Sequence, residues 1–110
     1  MDTKVVAICG SMKFAKEMIE YTKELETQYG WCVIQCVYEL DPTKISTEEL
    51  DRVVSAHWKK IDICDAIFVV NVGGYIGAST QKEIDYAKSL GKEVIFAFNL
   101  KDTKSFDKMF

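Results

Sequence analysis

Proline occurs once in the 110-residue chain, histidine once, glycine six times, and no uninterrupted apolar run is longer than the five residues of Ala66 to Val70. A bilayer-crossing helix needs about 20 apolar residues, so no transmembrane helix is expected. The N-terminus has neither the basic flank nor the longer apolar stretch of a signal peptide, which points to the cytoplasm. Neither charge dominates: 14 basic against 17 acidic residues give −3, with the signs interspersed. A basic face for polymeric nucleic acid is therefore absent. The four cysteines, Cys9, Cys32, Cys36 and Cys64, lack the paired short spacings of a zinc site and read as reduced core residues. No metal or other cofactor is implied.

What the chain does have is 48% hydrophobic residues, enough to build a core, in a length that suits one domain spanning 1–110. Short runs of β-formers alternate with helical periods. Lys4 to Cys9 reads as a buried strand, broken by Gly10-Ser11. Phe14, Met18, Ile19, Thr22, Leu25 and Tyr29 then recur at helical spacing, with Gly30 as the stop. Trp31 to Val37 reads as a second strand, and Ser46 with Glu49 as the capping box of a helix from Thr47 to Cys64. Its apolar stripe contains Leu50, Val53, Val54, His57, Trp58 and Ile61. A third strand is expected at Ala66 to Val70, a third helix capped at Ser79-Thr80 and ending at Gly91, and a fourth strand at Glu93 to Phe98. Residues 99–110 read as a short helix, a partner-binding tail or disorder.

Alternating strands and helices predict an α/β fold: a doubly wound parallel sheet in three α/β/α layers, of flavodoxin-like or Rossmann-like type. A strand order 2-1-3-4 places the Gly10-Ser11 turn beside the Asn71 to Gly77 loop, where such sheets bind ligands. Gly10 and Ser11 can receive a phosphate on backbone N–H groups at a helix N-terminus, or Ser11 can simply cap that helix. Gly73, Gly74 and Gly77 allow a ligand close to the backbone, and Tyr75 offers a ring for stacking; without a ligand they form a flexible turn. Glu83, one turn into the third helix, is either a nucleophile or base, or the partner of Thr80 in a second capping box. His57 reads as a hydrogen-bonded core residue or as a catalyst. Asp62 and Asp65 read as solvated boundary residues, Asp62 also as an oligomer contact. Tyr86 can either orient Glu83 or pack on the sheet.

Three segments, Ala7-Ile8-Cys9-Gly10-Ser11, His57 to Asp65 with the β-run after it, and Gly77 to Ala87, resemble the nucleoside 2-deoxyribosyltransferase superfamily, which includes nucleoside 5′-monophosphate N-glycosidases. Glu83-Ile84-Asp85-Tyr86-Ala87 is similar to the family's Glu-(Leu/Ile)-x-Tyr-Ala helix. The resemblance implies a flavodoxin-like fold and cleavage or transfer at an N-glycosidic bond, with Glu83 as the nucleophile at C1′. Cys9-Gly10-Ser11 is similar to the phosphate-binding turn of the monophosphate glycosidases, so Gly10 and Ser11 are implied to hold a 5′-phosphate with help from Ser79 and Thr80. Asn71 and the glycine loop with Tyr75 complete the candidate substrate-binding set.

Two positions depart from the family pattern: His57 stands where an Asp is common, and Gly77 where Asp or Ser is frequent. In the first position a histidine can still donate a hydrogen bond or proton to a leaving base. The family's assembly, in which residues of a neighbouring chain line the pocket, implies a homo-oligomer, dimer or higher. No fifth strand of the kind many relatives have is expected here, so an edge or a neighbouring subunit is expected to complete the site. The implied partner is a small nucleoside or nucleotide. Beside this enzymatic reading stand a non-catalytic nucleotide-binding or sensing module, in which binding survives loss of Glu83, and an interaction domain without a ligand.

Overall fold

The computed structural model describes residues 3–98, and the expectations for the 99–110 tail lie outside them. Val5–Gly10 forms β1. A 3-10 turn at Met12–Phe14 leads into α1, Ala15–Glu24, whose last turn widens into a π-helical segment at Leu25–Tyr29. Gly30 closes it in the left-handed conformation, φ 69°, where a side chain would be strained. β2 follows at Cys32–Ile34, α2 at Thr47–Ile63, β3 at Ala66–Val70, α3 at Ala78–Ser89 and β4 at Glu93–Phe96. The four strands are parallel in the order β2-β1-β3-β4, as the sequence pattern predicts.

Strand alternation sorts the core into two layers. Ile8, Phe68 and Val70 face α1, where they pack with Phe14, Met18, Tyr21 and Leu25. Ala7, Cys9, Ile67 and Val69 face the opposite side, against Ile61 and Cys64 at the end of α2 and Ile84 and Ala87 of α3. With α1 on one face and α2 and α3 on the other, the sheet is covered on both sides, and β3 is buried along its whole length. Among the described residues no helix is long and apolar enough to cross a membrane.

Several local expectations are corrected. β2 ends at Ile34, not Val37: β1 runs on to Gly10, but the chain leaves the sheet edge after Ile34 and its pairing with β1 stops at Ala7. β4 likewise ends at Phe96. Ser11 accepts from the Lys13 N–H and so caps the 3-10 turn; α1 itself begins after Phe14 without a side-chain cap. α3 starts from Gly77 in extended conformation, so Ser79 and Thr80 lie inside the helix and do not cap it. Ile19, Leu50 and Val54 of the helical stripes are about half exposed. Of the cysteines, Cys9 and Cys64 are buried, Cys36 is intermediate and Cys32 is exposed; all four thiols are free.

Candidate active site

Three elements meet at the carboxyl end of β1. The pleat of β1 turns Cys9 to the α2 and α3 side, and Gly10 follows it at the strand end. At Gly10 a Cβ would come to 3.0 Å from the Val70 carbonyl oxygen and 3.2 Å from Met18 Sδ, so a side chain there would have to push β3 or Met18 aside by a few tenths of an ångström. On α2, the capping box is formed as the sequence indicates: Ser46 Oγ accepts from Glu49 N–H at 3.0 Å and Glu49 Oε1 accepts from Ser46 N–H at 3.0 Å. The helix then runs unbroken to Ile63, and His57 and Trp58 lie on the same side as Val53 and Val54. On α3, Ser79 and Glu83 are one turn apart and share a face with Lys82.

Between these elements lies a cavity of about 430 Å³, within the usual range of small-molecule sites. Gly10, His57, Ser79, Lys82 and Glu83 line it together with Cys9. Cys36, Val37 and Leu40, from the segment that leaves β2, close one side, and Met12, Val53, Val54 and Trp58 supply further apolar wall. The result is an apolar pocket with a few convergent polar groups at one end.

His57 Nε2 sits 3.1 Å from Glu83 Oε2 and 3.5 Å from Cys9 Sγ. Both side chains of the His–Glu pair are mostly shielded, 12% and 18% exposed. One ring nitrogen thus faces two partners. With Glu83 ionised, the Nε2 proton goes to the carboxylate, and the Cys9 thiol then has no lone pair to donate into on that nitrogen. Burial first, and the Glu83 charge second, push the Cys9 thiol well above its ordinary range. A nucleophilic thiolate activated by histidine would need the opposite shift, and a relay would use both ring nitrogens, so Cys9 is not arranged as a nucleophile. Burial likewise raises the Cys36 thiol.

The other sequence-predicted site residues fall outside the cavity lining. Asn71 is buried and its Oδ1 accepts from the Phe98 N–H at 2.9 Å, tying β3 to the end of β4. Gly73 and Gly74 sit in a tight turn with positive φ, their faces open. Tyr75 packs edge-on against Phe14, with Lys13 Nζ 3.4 Å from its ring centroid. Gly77 is the N-cap of α3, Ser11 lies in the turn before α1, and Thr80 is buried in the first turn of α3. Glu83 does not cap α3, because its carboxylate is taken up by His57. Tyr86 does not orient Glu83; its hydroxyl donates to Asp62 Oδ1 and its ring packs on Trp58 with centroids 4.8 Å apart. Asp65 Oδ2 accepts from the Val5 N–H at 2.8 Å, at the start of β1.

The solved structure of the CMP N-glycosidase BcmB from Clostridium botulinum matches 84% of this chain and 67% of that one, at 23% identity and TM-score 0.55. The two chains share a fold. No family model and no curated protein matches the chain. The residues that sequence reasoning overlooked were Cys9, Cys36, Lys82 and the apolar wall. Lys82 adjoins Glu83 in sequence and Trp58 adjoins His57, so proximity to the candidates was the available signal. Cys9 gave none beyond its place before Gly10.

Proposed function

We propose that this protein cleaves or transfers at the N-glycosidic bond of a nucleoside or nucleoside 5′-monophosphate, with Glu83 as nucleophile. The observation that carries the reading is Glu83 itself: a shielded carboxylate inside a cavity at the strand ends, hydrogen-bonded to His57 at 3.1 Å. The fold shared with an N-glycosidase of CMP supports it, as does the resemblance of the Glu83 to Ala87 segment. In this reading Glu83 Oε attacks C1′ of the sugar as the C1′–N bond breaks. The bonding electrons leave with the base, and His57, which lines the same cavity, supplies a proton or hydrogen bond to it. Water or a second base then attacks C1′ and returns Glu83 to its carboxylate form. A 5′-phosphate is received by the Gly10 turn, with the Ser79 hydroxyl in the first turn of α3 and the Lys82 ammonium alongside; Ser11 and Thr80, which stand outside the cavity lining, are left out of this set.

The apolar wall, Val37 and Val54 included, holds the base. The single 1–110 domain acts in this reading as a cytoplasmic homo-oligomer, whose mass in sedimentation should be a multiple of the chain's. The second reading, a nucleotide-binding module without turnover, is favoured by the fact that Glu83 already has His57 as a partner.

The deciding experiment incubates the purified protein with ribo- and deoxyribonucleosides and their 5′-monophosphates, with and without free base, and follows base release by chromatography. Wild type should release base from at least one of them, and Glu83→Ala should lower that rate by several orders of magnitude. Wild type that releases nothing, yet melts higher with one nucleotide, would instead establish the binding module.

A further inference from the structure

Cys9, His57 and Glu83 come from β1, α2 and α3, and one atom of each converges on a common point: Cys9 Sγ, a ring nitrogen of His57 and a carboxylate oxygen of Glu83 all lie within 4.8 Å of one another. A thiol sulfur, an imidazole nitrogen and a carboxylate oxygen meet there, each able to turn a lone pair to a cation once the thiol and ring protons are displaced. We propose that these three side chains form a site for a divalent cation of the zinc class, three-coordinate from the protein, with the fourth position open to the cavity.

The spacing fits the chemistry. Bond lengths of about 2.3 Å to sulfur, 2.0–2.1 Å to imidazole nitrogen and 2.0–2.2 Å to carboxylate oxygen, at tetrahedral angles, place the ligand atoms about 3.4–3.6 Å apart. The observed Sγ to Nε2 separation is 3.5 Å and Nε2 to Oε2 is 3.1 Å. The third edge is left to the torsions of the Glu83 side chain, the only ligand of the three on a long flexible stem. A mixed sulfur, nitrogen and oxygen set favours zinc-like ions over magnesium or calcium, which prefer oxygen alone. The charges also balance: a thiolate and a carboxylate offset a doubly charged cation, and the thiol proton leaves to solvent on binding. Three protein ligands and one open position are the pattern of an accessible zinc ion rather than of a closed structural one.

The cation would occupy the Glu83 oxygen that glycosyl transfer requires, so its binding shuts that chemistry off. This regulatory consequence rests on the reading of Glu83 as nucleophile; the binding itself does not.

The test uses the full chain, reduced and stripped with chelator, titrated with Co²⁺ as a spectroscopic probe and then with Zn²⁺ as competitor. One equivalent of Co²⁺ should give the thiolate charge-transfer band and the strong visible bands of a tetrahedral site, and Zn²⁺ should erase both. Cys9→Ala should lose the charge-transfer band, while Cys32→Ser should keep it. His57→Gln and Glu83→Gln should bind more weakly by more than the about 10- to 100-fold that outer-shell partners cost. If Cys9→Ala proves misfolded by circular dichroism, the two polar variants decide. The proposal is overturned by the absence of a saturable equivalent, by a band that survives Cys9→Ala, or by wild-type affinity in both polar variants. In the same samples base release should stop with one equivalent of Zn²⁺ and return with chelator; release that continues with the site filled overturns the regulatory consequence. Metal-free protein that releases no base defeats the catalytic reading and leaves the titration interpretable.

Discussion

Cys9 is a buried thiol beside a carboxylate, and its ionisation is coupled to folding. At Cys9, burial and the Glu83 charge both hold the thiol neutral in the folded state. In the unfolded chain an ordinary thiol ionises near about pH 8.5. Because the folded value is higher, the stability that the neutral thiol contributes is complete below about pH 8.5 and is lost as the pH climbs toward the folded value. Melting curves of reduced protein should therefore fall above that pH, and less steeply in Cys9→Ala. Cys36 and Cys64, which burial also raises, keep some of the slope in the variant. Identical pH profiles for variant and wild type would contradict the assignment. From sequence, Cys9 was legible as a core residue, but its partners lie 48 and 74 positions away in the chain, and no local spacing could reveal them.

Among the elements, α2 is the one whose local code was complete. The Ser46 and Glu49 pair satisfies two backbone donors at its start, and Ser46→Ala should cost about 1 kcal/mol, read by chemical denaturation. The Glu49 carboxyl is held below its usual range by those same hydrogen bonds with Ser46, so this contribution is present at neutral pH and fades as the carboxyl protonates in acid. An S/T-x-x-E match at Thr80 to Glu83 looks the same on paper, yet α3 begins at Gly77 and Glu83 turns to His57. The difference is tertiary: α3 packs beside α2, which brings an imidazole to Glu83. β2 is shorter than its composition suggests for a related reason: β-forming residues continue past Ile34 and β1 continues to Gly10, but the chain turns away from the sheet to line the cavity with Cys36 and Val37. Between β1 and β3 the restriction is steric. Gly10→Ala would drive its Cβ against the Val70 carbonyl and Met18, costing about 1–3 kcal/mol and displacing the turn at the cavity mouth. A variant with wild-type denaturation and unchanged base release would show that the turn yields freely.

For the whole molecule, one sheet separates two packed layers, and the site sits where only one of them opens. Phe68 is fully buried on the α1 side, its ring 5.3 Å from that of Tyr21. Phe68→Ala should cost about 3–5 kcal/mol in global stability, measured by denaturant unfolding, because the rigid sheet cannot collapse into the cavity left behind. A loss below about 1 kcal/mol would mean that the α1 layer repacks. The sequence by itself determined the element order, the parallel doubly wound topology and the candidacy of Glu83 and His57, because runs of β-formers, helical periods and short motifs are local properties of the chain. Tertiary structure alone decided that Asn71, Tyr75 and the glycine loop stand outside the cavity, and that Cys9, His57 and Glu83 share one point. Those relations depend on how helices cross the sheet, and a crossing joins residues that no sequence spacing connects.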